Sequence, residues 1–176
     1  MKKFFFLFVA ITTFFSGKAQ RVEFHQGVGL GYLGNFAGGA SASAIEVQYH
    51  PRITFMHKGK ISLGAGIPFG LGYQFGGANA LMVDLPAMFD FNYGQGHSED
   101  NESKLGAYAG VGFRYILSAF FGDASGTTNQ YGPAVHAGMR VGVGSESSSI
   151  GVGINYAYDL NFKTNFIGAG VTYNFN

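Results

Sequence analysis

Cysteine is absent from this 176-residue chain, charge is scarce, and only one short stretch is apolar without interruption. Without cysteine there can be no disulfide, no thiolate metal site, no cysteine nucleophile and no lipid attached to an N-terminal cysteine. Lys, Arg, Asp and Glu together make up 12% of residues, about half the share typical of a soluble domain, so a dense charged skin cannot be built. A net charge of +1 gives no electrostatic reason to expect a nucleic-acid partner. Past residue 20, no segment approaches the roughly 20 consecutive apolar residues that a spanning helix requires. If the mature chain sits in a membrane, it crosses as strands.

The one uninterrupted apolar stretch is at the start. Met1-Lys2-Lys3 is a basic lead, Phe4 to Phe15 is apolar, and Ser16-Gly17-Lys18-Ala19 supplies small residues before a cut. We read residues 1–19 as an export signal cleaved after Ala19, and residues 20–176 as one domain. The apolar run is short for a retained membrane helix.

Glycine is abundant, with 29 residues, and much of it lies in alternation with apolar side chains. The pattern is cleanest in Ile61-Ser62-Leu63-Gly64-Ala65-Gly66-Ile67-Pro68-Phe69-Gly70-Leu71-Gly72-Tyr73. A period of two is the signature of a strand with two unlike faces. Eight such segments are legible, near 27–36, 43–55, 61–73, 81–93, 105–117, 131–143, 150–160 and 166–176. Turn-rich connections between them imply antiparallel neighbours. Eight strands can close up-and-down into an all-β barrel with both chain ends on one side.

A lipocalin-like soluble barrel also alternates, with its apolar face inward. Three features point the other way. No Lys, Arg, Asp or Glu falls on the apolar face. The opposite face is mostly glycine with occasional Arg, Asp and His, unlike a water-facing surface. Tyr32, Tyr49, Tyr73, Tyr93, Tyr115, Tyr158 and Tyr173 gather near strand ends, where a ring with a polar tip suits a membrane interface. The apolar face therefore meets lipid, and the lumen is polar and packed.

The leader, the eight alternating segments and the closing Tyr173-Asn174-Phe175 resemble the small outer-membrane β-barrels of the OmpA-transmembrane-domain and OmpX-like group, over essentially the whole mature chain. The Ala-Gln junction after the leader, with abundant Asn, Gly and Phe, is similar to exported proteins of Bacteroidota-type bacteria. The resemblance implies residence in a Gram-negative outer membrane among its lipids. It also implies recognition by the barrel-assembly machinery through a C-terminal aromatic, here Tyr173 and Phe175. This chain departs from the common pattern by ending one residue later, at Asn176. Its short loops weigh against adhesin-like roles.

Inward-facing charges are the candidate site. Glu46, Asp84, Arg114, His136 and Asp159 are expected toward the outer rim, and His50, Arg52, Asp90 and Arg140 toward the periplasm. A turn centred near Glu99 sets Asp84 opposite Arg114, and one centred near Ser125 sets His136 there too. Buried charges must be paired, so Glu46, Arg52, Asp84, Asp90, Arg114, His136, Arg140 and Asp159 are read as an ion-pair network filling the lumen. The functional alternative is a polar wire for ions or protons. Pro68 and Pro86 are expected to face each other if the intervening turn centres on Gly77, making a bulged seam; Pro51 suggests a further bulge or strand end.

Catalysis is not expected. His97-Ser98-Glu99 holds the residue types of a triad, but contiguous residues rarely converge as one. Glu99, Asp100 and Glu102 lack the spacing of a calcium loop, and the five His residues show no metal-ligand spacing. Neither a cofactor nor a metal is implied. The sequence reads as a non-enzymatic integral protein with a structural or partner-binding role, the partner being a protein of the outer membrane or periplasm. A narrow ion or small-solute channel is the alternative, and a lipid-modifying enzyme is a more distant one. External contact is expected at Gly122 to Gln130.

Overall fold

The computed structural model describes residues 21–37, 40–76, 79–96, 98, 103–121, 126–143 and 148–175. The leader, Asn176 and the acidic residues Glu99, Asp100 and Glu102 lie outside the described residues. Ten β segments follow in order: β1 Glu23–Ala37, β2 Ala40–Tyr49, β3 Arg52–Lys58, β4 Ile61–Gly66, β5 Phe69–Phe75, β6 Ala80–Gly94, β7 Leu105–Phe120, β8 Gly126–Gly142, β9 Ser149–Tyr158 and β10 Asn165–Phe175.

These ten segments make eight spanning strands. β2 and β3 are one strand interrupted at His50-Pro51, and β4 and β5 are one strand interrupted at Ile67-Pro68. All pairings are antiparallel, and β10 pairs with β1 to close the ring. Both interruptions fall at prolines, which lack the N–H a ladder needs. Register is kept across them: β5 pairs Gly70 with Asp84, and β4 pairs Gly66 with Met88. Pro68 is thereby bracketed against Pro86, as expected.

Among the described residues the ladder register shifts at one bulge. Phe55 faces Leu63, yet Lys58 faces Ile61, and Met56 carries a φ of 56°. The extra residue turns the strand's phase once, so that odd-numbered His57 falls on the inner side with Thr54. The hairpin then closes through Gly59, whose φ of 60° suits the first central position of a two-residue turn.

The outer surface is apolar. Phe89 and Ile154 are each 66% exposed, and Leu30, Val47, Val111 and Val152 share that face. Within the described strands the one exposed charged side chain is Lys58, at a hairpin tip. Tyr49, Tyr93 and Tyr173 are exposed toward the end that holds both chain termini; Tyr32, Tyr73, Tyr115, Tyr131 and Tyr156 lie toward the opposite, distal end. In water such a surface would be strongly unfavourable; in a bilayer it is the ordinary lipid-facing band with aromatic girdles.

The lumen differs from the expectation in one respect. It is not polar throughout. Leu33, Ala44, Met82, Ile116, Ala157 and Phe166 are buried inside the barrel and form an apolar cluster toward the distal end. They have the same strand parity as the glycines and charges beneath them, so they project inward by the same rule.

Candidate functional site: the barrel lumen

Below the apolar cluster lies a layer organised by Arg114. Its Nε donates to Asp84 Oδ1 at 2.8 Å, and its Nη2 bonds Asp84 Oδ2. Nη1 donates to Asn155 Oδ1 at 2.7 Å, and Glu46 Oε1 lies 3.8 Å from Nη2. Gln48 Nε2 donates to Glu46 Oε1 at 2.5 Å, and the His50 ring shares a hydrogen bond with Gln48 Oε1 at 2.8 Å. Glu46 Oε2 is buried without a hydrogen-bond partner among the described residues. This forked arrangement uses the planar guanidinium as a cross-brace between β7, β6 and β9.

The next layer lies toward the terminal end. His136 Nε2 meets Asp90 Oδ1 at 2.5 Å. Arg52 and Arg140 both donate to Asn92 Oδ1, at 3.2 and 2.9 Å. The Arg140 guanidinium sits 4.2 Å from the centroid of Tyr108, whose ring meets His136 edge-on at 5.3 Å. Glycine makes room for this layer. A Cβ on Gly110 would strike the Asp90 carboxylate and the His136 ring, and one on Gly138 or Gly153 would strike the Tyr108 hydroxyl.

Three expectations are corrected here. Asp84 is not directly opposite Arg114: the β6–β7 ladder sets Pro86 there, and the long guanidinium reaches Asp84 on the diagonal. His136 does not face Arg114: β8 sets Gly132 opposite Arg114 and His136 opposite Gly110, so His136 belongs to the Asp90 layer. Asp159 does not join the network. It caps the turn after β9, accepting from the backbone N–H groups of Tyr131, Asn161 and Phe162 at 3.0 Å each. Just past a strand end, its carboxylate finds unpaired N–H donors nearer than any guanidinium.

A third polar group, at the terminal rim, escaped sequence reading. Glu23 is buried, with His25 and His57 Nε2 at 3.6 and 3.7 Å from Oε2 and Ser98 Oγ donating to Oε1 at 2.9 Å. Thr54 Oγ1 stands between the two rings at 2.9 and 3.2 Å. The signal in β1 was parity: Glu23 and His25 share the face of Gly27 and Gly29. His57 gave none, because the bulge reversed its side. Ser98 is the one member of His97-Ser98-Glu99 among the described residues, and its partner is Glu23. Tyr173 is exposed, with its ring stacked 6.1 Å from Phe175.

Two small cavities flank these layers, of about 70 and 50 Å³, both touched by His50, Pro68, Tyr108, His136 and Thr172. The pairing closes a cylinder with an apolar outer wall and a cross-braced centre that holds the two cavities. The fold is that of the small eight-stranded outer-membrane barrels.

Solved structures agree. Neisserial surface protein A superposes with a TM-score of 0.60 at 11% identity, over 88% of this chain and 98% of that one. The attachment invasion locus protein Ail of Yersinia pestis gives 0.55 at 13% identity, over 87% and 99%. No protein-family model matches the sequence, and no curated protein matches it.

Proposed function

We propose that this chain is a non-enzymatic structural protein of the outer membrane, a closed barrel that braces the bilayer and presents its lipid face and rims to partners. The observation that carries this reading is the double closure of the lumen. An apolar cluster of Leu33, Met82, Ile116 and Phe166 lies over the Arg114–Asp84 cross-brace. Eight strands leave an interior just wide enough for side chains, and here side chains occupy it. Planar-bilayer recording of the purified protein tests the reading. A flat trace at all voltages is expected, and stable unitary current steps would overturn it.

Partners would be outer-membrane lipids, the assembly machinery during insertion, and a protein of the outer membrane or periplasm. Tyr173 and Phe175 are the residues through which the assembly machinery would recognise the last strand. Phe175→Ala should slow the appearance of heat-modifiable folded protein in cells. Of the proposed external contact, residues 122–125 lie outside the described residues and 126–130 belong to β8.

A narrow ion pathway is the second reading. It is favoured by the two lumen cavities, which share His50, Tyr108 and His136. The same recordings decide between the two.

A further inference from the structure

The lumen distributes its charges unevenly. In the Arg114 layer two carboxylates, Asp84 and Glu46, attend one guanidinium. The next layer holds two guanidiniums, Arg52 and Arg140, and one carboxylate, Asp90, which is engaged by His136 and not by either arginine. Arg52 and Arg140 are 8% and 6% exposed. Both aim at the same neutral oxygen, Asn92 Oδ1. Among the described residues neither has an Asp or Glu oxygen within 4.0 Å.

Two like charges converging on one amide oxygen repel each other, and a buried charge without a counter-charge is unfavourable by several kcal/mol. A lysine could relieve this by losing its proton; a guanidinium cannot. With Asp90 held by His136 and the surplus carboxylate, Glu46, in the adjoining layer, a small anion between the two guanidiniums would supply the nearest compensating charge. Beside the pair lies the cavity of about 50 Å³, reached by Arg52, Arg140, His25, His50, Thr172 and Asn174, with Asp90 also on its wall. A space of that size takes a monatomic ion or a few waters, and not a phosphorylated metabolite.

We propose that Arg52 and Arg140 form a lumen site for a small inorganic anion of halide size. The guanidinium N–H groups not directed at Asn92 supply the charge, and the Thr172 hydroxyl, which accepts from Asn174 Nδ2, is a further donor on the wall. The proposal is independent of whether the barrel conducts, since a bound ion that neutralises two fixed charges need not pass through.

Bromide is the probe. Crystals of the folded barrel soaked in sodium bromide should show an anomalous peak between the Arg52 and Arg140 guanidiniums. In detergent solution at fixed ionic strength, the chloride NMR resonance should broaden saturably and narrow again as bromide displaces chloride. Arg52→Gln and Arg140→Gln should each weaken apparent affinity about tenfold or more, the loss of one strong charged contact. Ser118→Ala, in the distal half of the lumen, should leave it unchanged. A wild-type protein with no peak at the arginine pair, or with chloride broadening no greater than that of the double Gln variant, would overturn the site and leave the cavity to water. The wild-type measurements stand even if the variants do not fold.

Discussion

Arg114 reaches Asp84 along a diagonal: Nε lies 2.8 Å from Oδ1, although the residue facing Arg114 in the β6–β7 ladder is Pro86. Diagonal neighbours on one face stand within reach of long side chains. Removing the guanidinium would strand two carboxylates at once. Arg114→Ala should therefore lower unfolding free energy by about 3–5 kcal/mol. Urea titration followed by the heat-modified gel shift would measure it, and an unchanged midpoint would remove Arg114 from its bracing role.

The apolar cluster makes a separate prediction. Ile116→Ala should destabilise the barrel by about 2–5 kcal/mol through the cavity it leaves. Combining it with Phe166→Ala should open the distal half of the lumen to water. Liposomes carrying the double variant should then leak small ions that wild-type liposomes retain.

The close approach at Gly110 predicts intolerance of any larger residue. Gly110→Val would place its side chain against Asp90 and His136, with β-sheet backbone on the other side. Overpacking of this kind typically destabilises by about 1–3 kcal/mol, and the yield of folded protein after refolding into detergent should fall accordingly. Gly142→Ala, where an added Cβ meets only the Gln95 side chain at 3.4 to 3.6 Å, serves as the contrast for packing.

Lipid contact is tested by depth. Ile154→Arg, near the middle of β9, should destabilise by about 2–4 kcal/mol in bilayers. Leu160→Arg, beyond the strand end, should be nearly neutral. Equal effects at both positions would argue against a hydrocarbon band around the barrel.

The proline seam predicts a local difference in exchange. Amides at 67 and 69–70 and at 87–88 flank positions where Pro51, Pro68 and Pro86 supply no ladder N–H. They should exchange faster than the uninterrupted β7–β8 hairpin, measured by hydrogen–deuterium exchange in detergent. Equal protection would show that the seam is as tight as the rest of the wall.

Alternation made the closed barrel legible, along with which face each residue takes. It left the register open, because a slip of two residues keeps every side chain on its side. The β6–β7 and β7–β8 turns were centred wrongly for that reason. Arg114 still meets Asp84, since a guanidinium spans the diagonal, but His136 is too short and finds Asp90 instead. The apolar cluster was readable from the parity of Leu33, Ile116 and Phe166, and was obscured by the glycines that share their face. Asp159 was misread because strand ends convert inward carboxylates into turn caps. His57 was unreadable without the bulge.

That bulge has a practical corollary. Lys58 and Ile61 already face each other past the surplus residue at Met56. Excising Met56 should bring the β3–β4 ladder into continuous step and leave every remaining side chain on the side it now occupies. Most single-residue excisions from this wall would invert a strand, exchanging glycine and arginine for valine against the acyl chains. The tip of this hairpin is the place where the polypeptide can be shortened by one without turning itself inside out.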